Sequence, residues 1–292
     1  MTDNYSVLMS VYYKADPRFL IESIDSMLRQ TAGTNDFVIV CDGQLTQELD
    51  DILAKYDQSF PGLFNIIRLE KNVGIGQAAN IGIHECKNEL VAKMDADDIS
   101  VEDRCEHQLE CFRKNPELAL LGGYIDEFDE DPKKPFSVRS VPLKYEDILR
   151  YTKRRQSFNN MTVMYRRSAV IAVGGYRDFR RAEDYDLYLR LLHAGYYAEN
   201  LPECLVKARV NNGAFARRAS MDTLKGCVRS RWYAHSIGFS SLMDFLICVL
   251  GEVLIIISPP KFQQFLYLHF LREKVGSRRK MPETEISAEK QS

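Results

Sequence analysis

Through its first hundred positions the chain repeats one pattern: a short run of branched apolar residues, a polar break, then a helix-compatible stretch. The runs are SVLMSV at 6–11, FVIVC at 37–41, FNIIRL at 64–69 and LVAKM at 90–94. They are too short for helices and too continuously apolar for a sheet with one wet face, so they predict strands covered on both sides. Steps of roughly 30 residues from strand through helix to strand are what parallel crossovers require, and right-handed crossovers wind such strands into an open sheet between helices. The first helix start agrees, with Asp16 placed to cap and Pro17 at the first helical position before RFLIESIDSMLRQ.

Beyond residue 100 the pattern loosens. VEDRCEHQLECFRKNPE predicts a helix ended at Pro116, LALLGG a further strand, and DEFDEDPKKP an exposed acidic loop with a turn. NMTVMYRRSAVIAVGGY holds another apolar strand candidate before a Gly-Gly break. RRAEDYDLYLRLLHAGY predicts an amphipathic helix, with Leu187, Leu191 and Leu192 on one face and Gly195 at the stop.

The character changes at about residue 220. LMDFLICVLGEVLIIIS is strongly apolar, yet Asp244 and Glu252 interrupt it and Pro259-Pro260 end it, which leaves it short for a membrane span. A helix buried against the domain is the other reading of this stretch. KFQQFLYLHFLREKV sets Phe262, Phe265, Leu266 and Phe270 at helical spacing beside Arg272, Lys274, Arg278, Arg279 and Lys280, a combination suited to a helix lying on an anionic membrane surface.

Composition narrows the function classes. A formal net charge of -2 and a pI near 6.3 argue against a nucleic-acid partner. Seven cysteines with no C-x-x-C pair fit a reducing compartment better than a disulfide framework. The start, MTDNYSVLMSVYY, has no basic segment before its apolar run and so does not read as a signal peptide, which places the body of the protein in the cytoplasm.

Ligands of open parallel sheets bind beyond the carboxyl ends of the strands, and here each predicted strand ends in a polar or glycine-rich element. The fourth ends in DADD, where Asp95 and Asp97 present hard oxygen ligands at i, i+2 to one divalent ion. The other reading is a solvated acidic turn in which Asp98 or Ser100 caps the next helix. Asp42, in VIVCDGQ, is either a ligand for a nucleobase or ribose, or half of an Asp-Gly turn. The glycines of KNVGIGQAAN allow close backbone approach to a phosphate, but they match neither a P-loop nor G-x-G-x-x-G. Asp184 is either a general base or a helix-start carboxylate favoured by the helix dipole.

Taken in order, SVLMSVYYKADPRFLIESIDSMLRQT, DFVIVCDG, NVGIGQAANIGI, ELVAKMDADD and RRAEDYDLYLRLL resemble the family 2 glycosyltransferases of the GT-A fold, especially bacterial enzymes of capsule, exopolysaccharide and O-antigen synthesis. The resemblance runs from about residue 5 to 200. It implies an α/β fold, a mixed and mainly parallel sheet flanked by helices, in a catalytic domain at 1–220; the apolar and basic pattern beyond predicts a membrane-associated helical extension at 221–280, and the polar end a disordered tail at 281–292. It implies that Val11 and Tyr12 line the nucleotide pocket, that Asp42 contacts the base, and that Asn72, Gly74 and Asn80 lie along the donor. Asp95 and Asp97 would hold Mg²⁺ or Mn²⁺ against the donor diphosphate, and Asp184 would deprotonate the acceptor hydroxyl.

The implied activity is inverting, metal-dependent transfer from a nucleotide-sugar, expected to be UDP-linked, to a lipid-linked saccharide at the inner membrane face. A nucleotide-sugar-binding protein without transfer is the alternative. Three positions depart from the family pattern. Cys41 stands where another Asp is common, Tyr13 where Asn is common, and RVNNGAFARR lacks the histidine of an Arg-x-His segment, with Asn211, Arg217 or Arg218 as stand-ins. The absence of Q-x-x-R-W favours transfer of one sugar per acceptor.

Overall fold

A computed structural model describes residues 4–179, 181–210, 220–259 and 273–274. The alternating pattern of the first hundred residues produces β1 (Tyr5–Val11), α1 (Pro17–Leu28), β2 (Asp36–Cys41), α2 (Gln47–Ser59), β3 (Phe64–Arg68), α3 (Ile75–Glu85) and β4 (Leu90–Asp95). All four strands are parallel in the order β3-β2-β1-β4, as crossovers of that length require. Asp16 caps α1 by accepting from Arg18 N at 2.9 Å, with Pro17 at the first helical position.

The continuous apolar runs are explained by cover on both faces. One face packs Leu20, Ile24 and Met27 of α1, Leu49 and Leu53 of α2, and Leu109 and Phe112 of a later helix against Val7, Met9, Phe37 and Ile39. The other packs Ala78, Ala79 and Ile83 of α3 and, from further along the chain, Leu187, Tyr188 and Leu191 against Leu8, Val38, Val40 and Val91. Gly82 lets α3 lie close to the sheet, because a Cβ there would sit 2.9 Å from Val40 Cγ2 and closer still to Leu8.

The second half differs from expectation in several places. Asp98 caps no helix: a short strand β5 (Ile99–Ser100) follows it, and α4 (Arg104–Lys114) starts after Asp103. LALLGG is only the beginning of β6 (Leu118–Phe128), which runs on into the stretch expected to be an acidic loop. Cross-strand partners make this possible, since buried Glu127 accepts from Ser137 Oγ of β7 (Ser137–Arg139) at 2.6 Å. After α5 (Tyr145–Thr152), the apolar stretch of 161–176 divides into β8 (Met164–Arg166) and a short helix, α6 (Arg167–Ala172).

The helix α7 (Glu183–His193) stops at Gly195, whose φ is 84°, as its position after the periodic leucines predicts. The chain then enters β9 (Tyr197–Arg209), a strand the apolar pattern does not announce, which pairs in parallel with the whole of β6. β8 joins the parallel half of the sheet to β6 through antiparallel pairing on both sides, so the sheet is mixed.

Two helices follow, α8 (Met221–Ser236) and α9 (Leu242–Ile257). α8 docks on α7 through Ala234, Tyr185 and Leu189. α9 begins with a capping box of Ser241 and Asp244, and Arg154 Nε donates to Asp244 Oδ1 at 2.5 Å. Asp244 is its sole buried residue, and a half-buried side of the helix packs on its neighbours, with Phe245 against Trp232 of α8 and Cys248 Sγ donating to Arg154 O at 3.3 Å. Leu242, Met243, Leu246, Ile247, Leu250, Leu254 and Ile257 are exposed. Among the described residues no helix is long and apolar enough to cross a membrane. Of the helix expected at 261–275, Glu273–Lys274 form a strand, β10, paired antiparallel with β7, and the rest lies outside the described residues. The tail at 281–292 also lies outside them. All seven cysteines are free thiols, in keeping with their scattered spacing.

Candidate active site

The parallel strands end in register, which brings their terminal residues to one edge. Val11 faces Cys41, Ser10 faces Asp95, and Asp42 N donates to Val11 O at 2.7 Å. Residues separated by up to 85 positions in sequence are therefore side by side.

Asp42 is buried and already engaged. Its Oδ1 accepts from Val73 N at 2.7 Å, and its Oδ2 accepts from Gly74 N at 3.1 Å and Asn72 Nδ2 at 2.9 Å. The carboxylate thus shapes the loop that opens α3, where Gly74 supplies the positive φ of 91°. Asn80 behaves similarly: its Oδ1 accepts from Tyr176 N at 2.6 Å and its Nδ2 donates to Tyr176 O at 2.5 Å, so both ends of its amide clamp the backbone beside Gly175. Val11 is buried, whereas Tyr12 and Asn72 face solvent.

The DADD turn is fixed from two directions. Ser23 Oγ of α1 donates to Asp95 O at 2.8 Å. From β9, Arg209 N donates to Asp98 Oδ1 at 2.8 Å and its Nε donates to Asp97 O at 3.3 Å. The Arg209 guanidinium lies over the rings of Phe19 and Phe128, which explains why β9 matters to a site formed by β4. Asp98 therefore shapes the turn, while Asp97 is exposed and the Asp95 side chain keeps 22% of its surface open.

Charge is concentrated here. Burial, followed by repulsion from Asp97 and Asp95, pushes Asp98 well above the usual carboxylate range, and burial also raises Asp95. Crowded carboxylates in this state favour a cation. Among the described residues no group of three or more His, Cys, Asp or Glu forms a closed metal site. A pair of carboxylates with open positions fits Mg²⁺ or Mn²⁺ held jointly with a diphosphate.

Asp184 meets the same edge from the other half of the chain. Asp95 and Asp184 act on each other electrostatically, although 89 positions separate them in sequence. The start of α7 is rigidly placed. Buried Asp186 is bridged by Arg177 and Arg190, and Arg190 also donates to the carbonyls of Val173 and Gly175. Arg181, with φ 72°, is the non-glycine residue of positive φ among the described residues, and it turns the chain into this helix. Beside the helix start, a depression of about 520 Å³ is lined by Asp178, Phe179, Asp222, Leu224, Lys225 and Arg229.

Two charged residues of the site escaped sequence reasoning. Lys93 lies in a run counted as apolar, yet its side chain is 2% exposed and its Nζ is 3.9 Å from Asp95 Oδ1. Glu183 packs against Gly76, and burial with repulsion from Asp184 pushes it up to about 7. The signal available for Lys93 was a charge in the middle of a strand otherwise covered on both faces. Asn211, Arg217 and Arg218 lie outside the described residues.

A mixed, mainly parallel sheet between helices, with carboxylates gathered at the strand ends, is the architecture of the nucleotide-sugar-dependent transferases of the GT-A fold. The chain superposes with a TM-score of 0.64 on Staphylococcus aureus TarS residues 1–349 in complex with UDP-GlcNAc, at 16% identity over 86% of this chain and 72% of that one. It superposes at 0.63 on the Pyrobaculum calidifontis mannosyltransferase PcManGT in complex with GDP-Man and Mn²⁺, at 16% identity over 89% and 72%.

Residues 6–178 match the glycosyl transferase family 2 model, and the chain belongs to that family. It is 36% identical over 92% of its length, and 99% of the other chain, to an uncharacterized glycosyltransferase of Haemophilus influenzae. It is 30% identical, over 93% and 98%, to the Escherichia coli UDP-Gal:alpha-D-GlcNAc-diphosphoundecaprenol beta-1,3-galactosyltransferase. It is 33% identical, over 90% and 97%, to the amylovoran biosynthesis glycosyltransferase AmsE of Erwinia amylovora.

Proposed function

We propose that this glycosyltransferase is inverting, metal-dependent and nonprocessive, and that it moves a sugar from a UDP-sugar to a lipid-linked saccharide during synthesis of a bacterial surface polysaccharide. The observation that carries this reading is the electrostatic contact of Asp95, in one half of the chain and two residues before Asp97, with Asp184 from the other. The full-length similarity to a galactosyltransferase acting on a diphosphoundecaprenol-linked sugar supports the donor and acceptor classes.

In this reading the nucleotide lies over Val11 and Tyr12, with Asp42 holding the loop of Asn72 and Gly74 in place against the donor. Asp95 and Asp97 would hold Mg²⁺ or Mn²⁺, which supplies charge stabilisation for the departing diphosphate. Asp184 takes the proton of the acceptor hydroxyl, and attack from the side opposite the diphosphate inverts the anomeric centre. The leaving diphosphate needs no proton, so one base suffices and no second carboxylate is required as nucleophile.

The exposed apolar face of α9 supports attachment to the inner membrane surface. Its leucines and isoleucines recur at helical spacing, and the helix is too short to span the bilayer. Liposome flotation of the full chain and of a chain lacking 240–280 tests this part, with loss of binding on truncation expected.

The main test is a donor panel with Mg²⁺ or Mn²⁺ and a diphosphate-lipid-linked saccharide. Turnover of one UDP-sugar is expected, and Asp97→Ala and Asp184→Ala should each reduce it by roughly 10²–10⁴-fold. Unchanged turnover in both variants overturns the assignment. Binding of the nucleotide-sugar with no product from the wild type would favour the reading without transfer.

A further inference from the structure

Lys93 poses a physical problem. It sits mid-strand in β4, level with Leu8 of β1, and its backbone N donates to Val163 O at 2.9 Å. Val91 and Lys93 share a face, and Val91 packs with Leu8, Val163, Tyr165 and Tyr176 in the apolar core. An ammonium in such surroundings is strongly disfavoured unless it is paired and hydrogen-bonded. Yet Nζ is buried with no hydrogen-bond partner, and its nearest ion-pair partner, Asp95 Oδ1, lies at 3.9 Å, beyond hydrogen-bond range. Unpaired buried polar atoms recur around it, on Ser10 opposite Asp95 and on Glu183 Oε2.

A methionine has nearly the volume of a lysine and would extend the core with no charge to bury. What the position offers is a fixed positive charge directly beneath the donor-side carboxylate. We propose that Lys93 is a positioning residue that draws Oδ1 of Asp95 toward the protein interior and so presents the second oxygen of that carboxylate to the incoming nucleotide-sugar and its metal.

The strand delivers this geometry by its period of two, which puts positions 93 and 95 on the same face. Arg104 steadies the other side of the arrangement, because its Nη2 donates to Lys93 O at 2.9 Å. Lys93 also acts on Glu183, so a single ammonium faces both the donor carboxylate and the start of the helix that carries Asp184. This inference rests on the proposed function for its kinetic consequence and on the structure alone for the Lys93–Asp95 link.

The test uses the full chain with Lys93→Met, Lys93→Gln, Asp95→Asn and the double variant Lys93→Met/Asp95→Asn. In the kinetic arm both Lys93 variants should raise the donor KM about 10- to 100-fold, the loss expected for a charge-assisted contact, with the acceptor KM within about twofold of wild type. In the stability arm Lys93→Met should melt within about 3 °C of wild type, because it removes a buried ammonium, keeps the volume and leaves behind a carboxylate that is 22% open to solvent. Asp95→Asn strands the ammonium and should melt lower, on the order of 5–10 °C, and the double variant should recover most of that loss. A donor KM within about twofold of wild type in both Lys93 variants overturns the proposal. So does a melting loss above about 10 °C in both of them, which would make Lys93 a structural residue, and so do additive melting shifts in the double variant. If the wild type turns over no nucleotide-sugar, the proposed function fails, while the melting cycle still decides whether Lys93 and Asp95 are linked.

Discussion

Glu183 offers a prediction in which structure, charge and pH are tied together. It opens α7 against Gly76, its Oε2 is buried without a partner, and burial followed by repulsion from Asp184 pushes it from its ordinary 4.5 up to about 7. A carboxyl whose folded value lies above its unfolded one adds stability that is fully present below pH 4.5 and lost as the pH rises through about 7. The interval between the two values corresponds to a loss of about 3 kcal/mol by pH 8. Glu183→Gln keeps the shape and removes the titration. Urea denaturation of wild type and variant from pH 4.5 to 8.5 measures the difference, and titrations elsewhere in the chain cancel between the two proteins. The variant should gain on the wild type by about 2–3 kcal/mol across this range, most steeply between pH 5 and 7.5. Parallel stability curves would refute the reasoning, because they would show that Glu183 ionises as easily folded as unfolded.

Further outcomes follow from single contacts. Asp42→Asn leaves at least one of the Val73 and Gly74 N–H groups facing a donor, so it should cost about 1–3 kcal/mol in denaturation and loosen the 72–74 loop, read as faster amide exchange there. Gly82→Ala drives a Cβ into Leu8 and Val40 at the α3–sheet contact and should cost about 1–3 kcal/mol, with Gly33→Ala, where the space is open, as the control. Arg209→Ala removes the donor to Asp97 O and the stacking on Phe19 and Phe128, and it should raise the KM for Mn²⁺ several-fold at saturating donor.

The parallel half of the fold was legible because its physics is local. A run of four to six branched apolar residues can be satisfied only by a strand covered on both faces, and crossover length then dictates parallel pairing. The strand ends carry Asp42, Gly74 and Asp95 by the same logic. What was hidden depends on partners distant in sequence. β9 reads as mixed polar sequence because Glu199, Glu203 and Lys207 lie along it, and it becomes a strand only by pairing with β6. The continuation of β6 through Glu127 is likewise invisible without Ser137.

For the site, the sequence by itself determined the chemical inventory: three carboxylates after β4, a glycine loop before α3, and an acidic start to α7. Residue type and order are enough for that, because the strand ends of a parallel sheet have only one edge to occupy. Only the tertiary structure decided how each group is employed. It turned Asp98 toward Arg209, committed the oxygens of Asp42 to the loop, set Asp95 near Asp184 and enclosed Lys93 beneath them. Those outcomes depend on desolvation and on charges from elements up to 112 positions apart, as with Arg209 and Asp97, which no local pattern encodes.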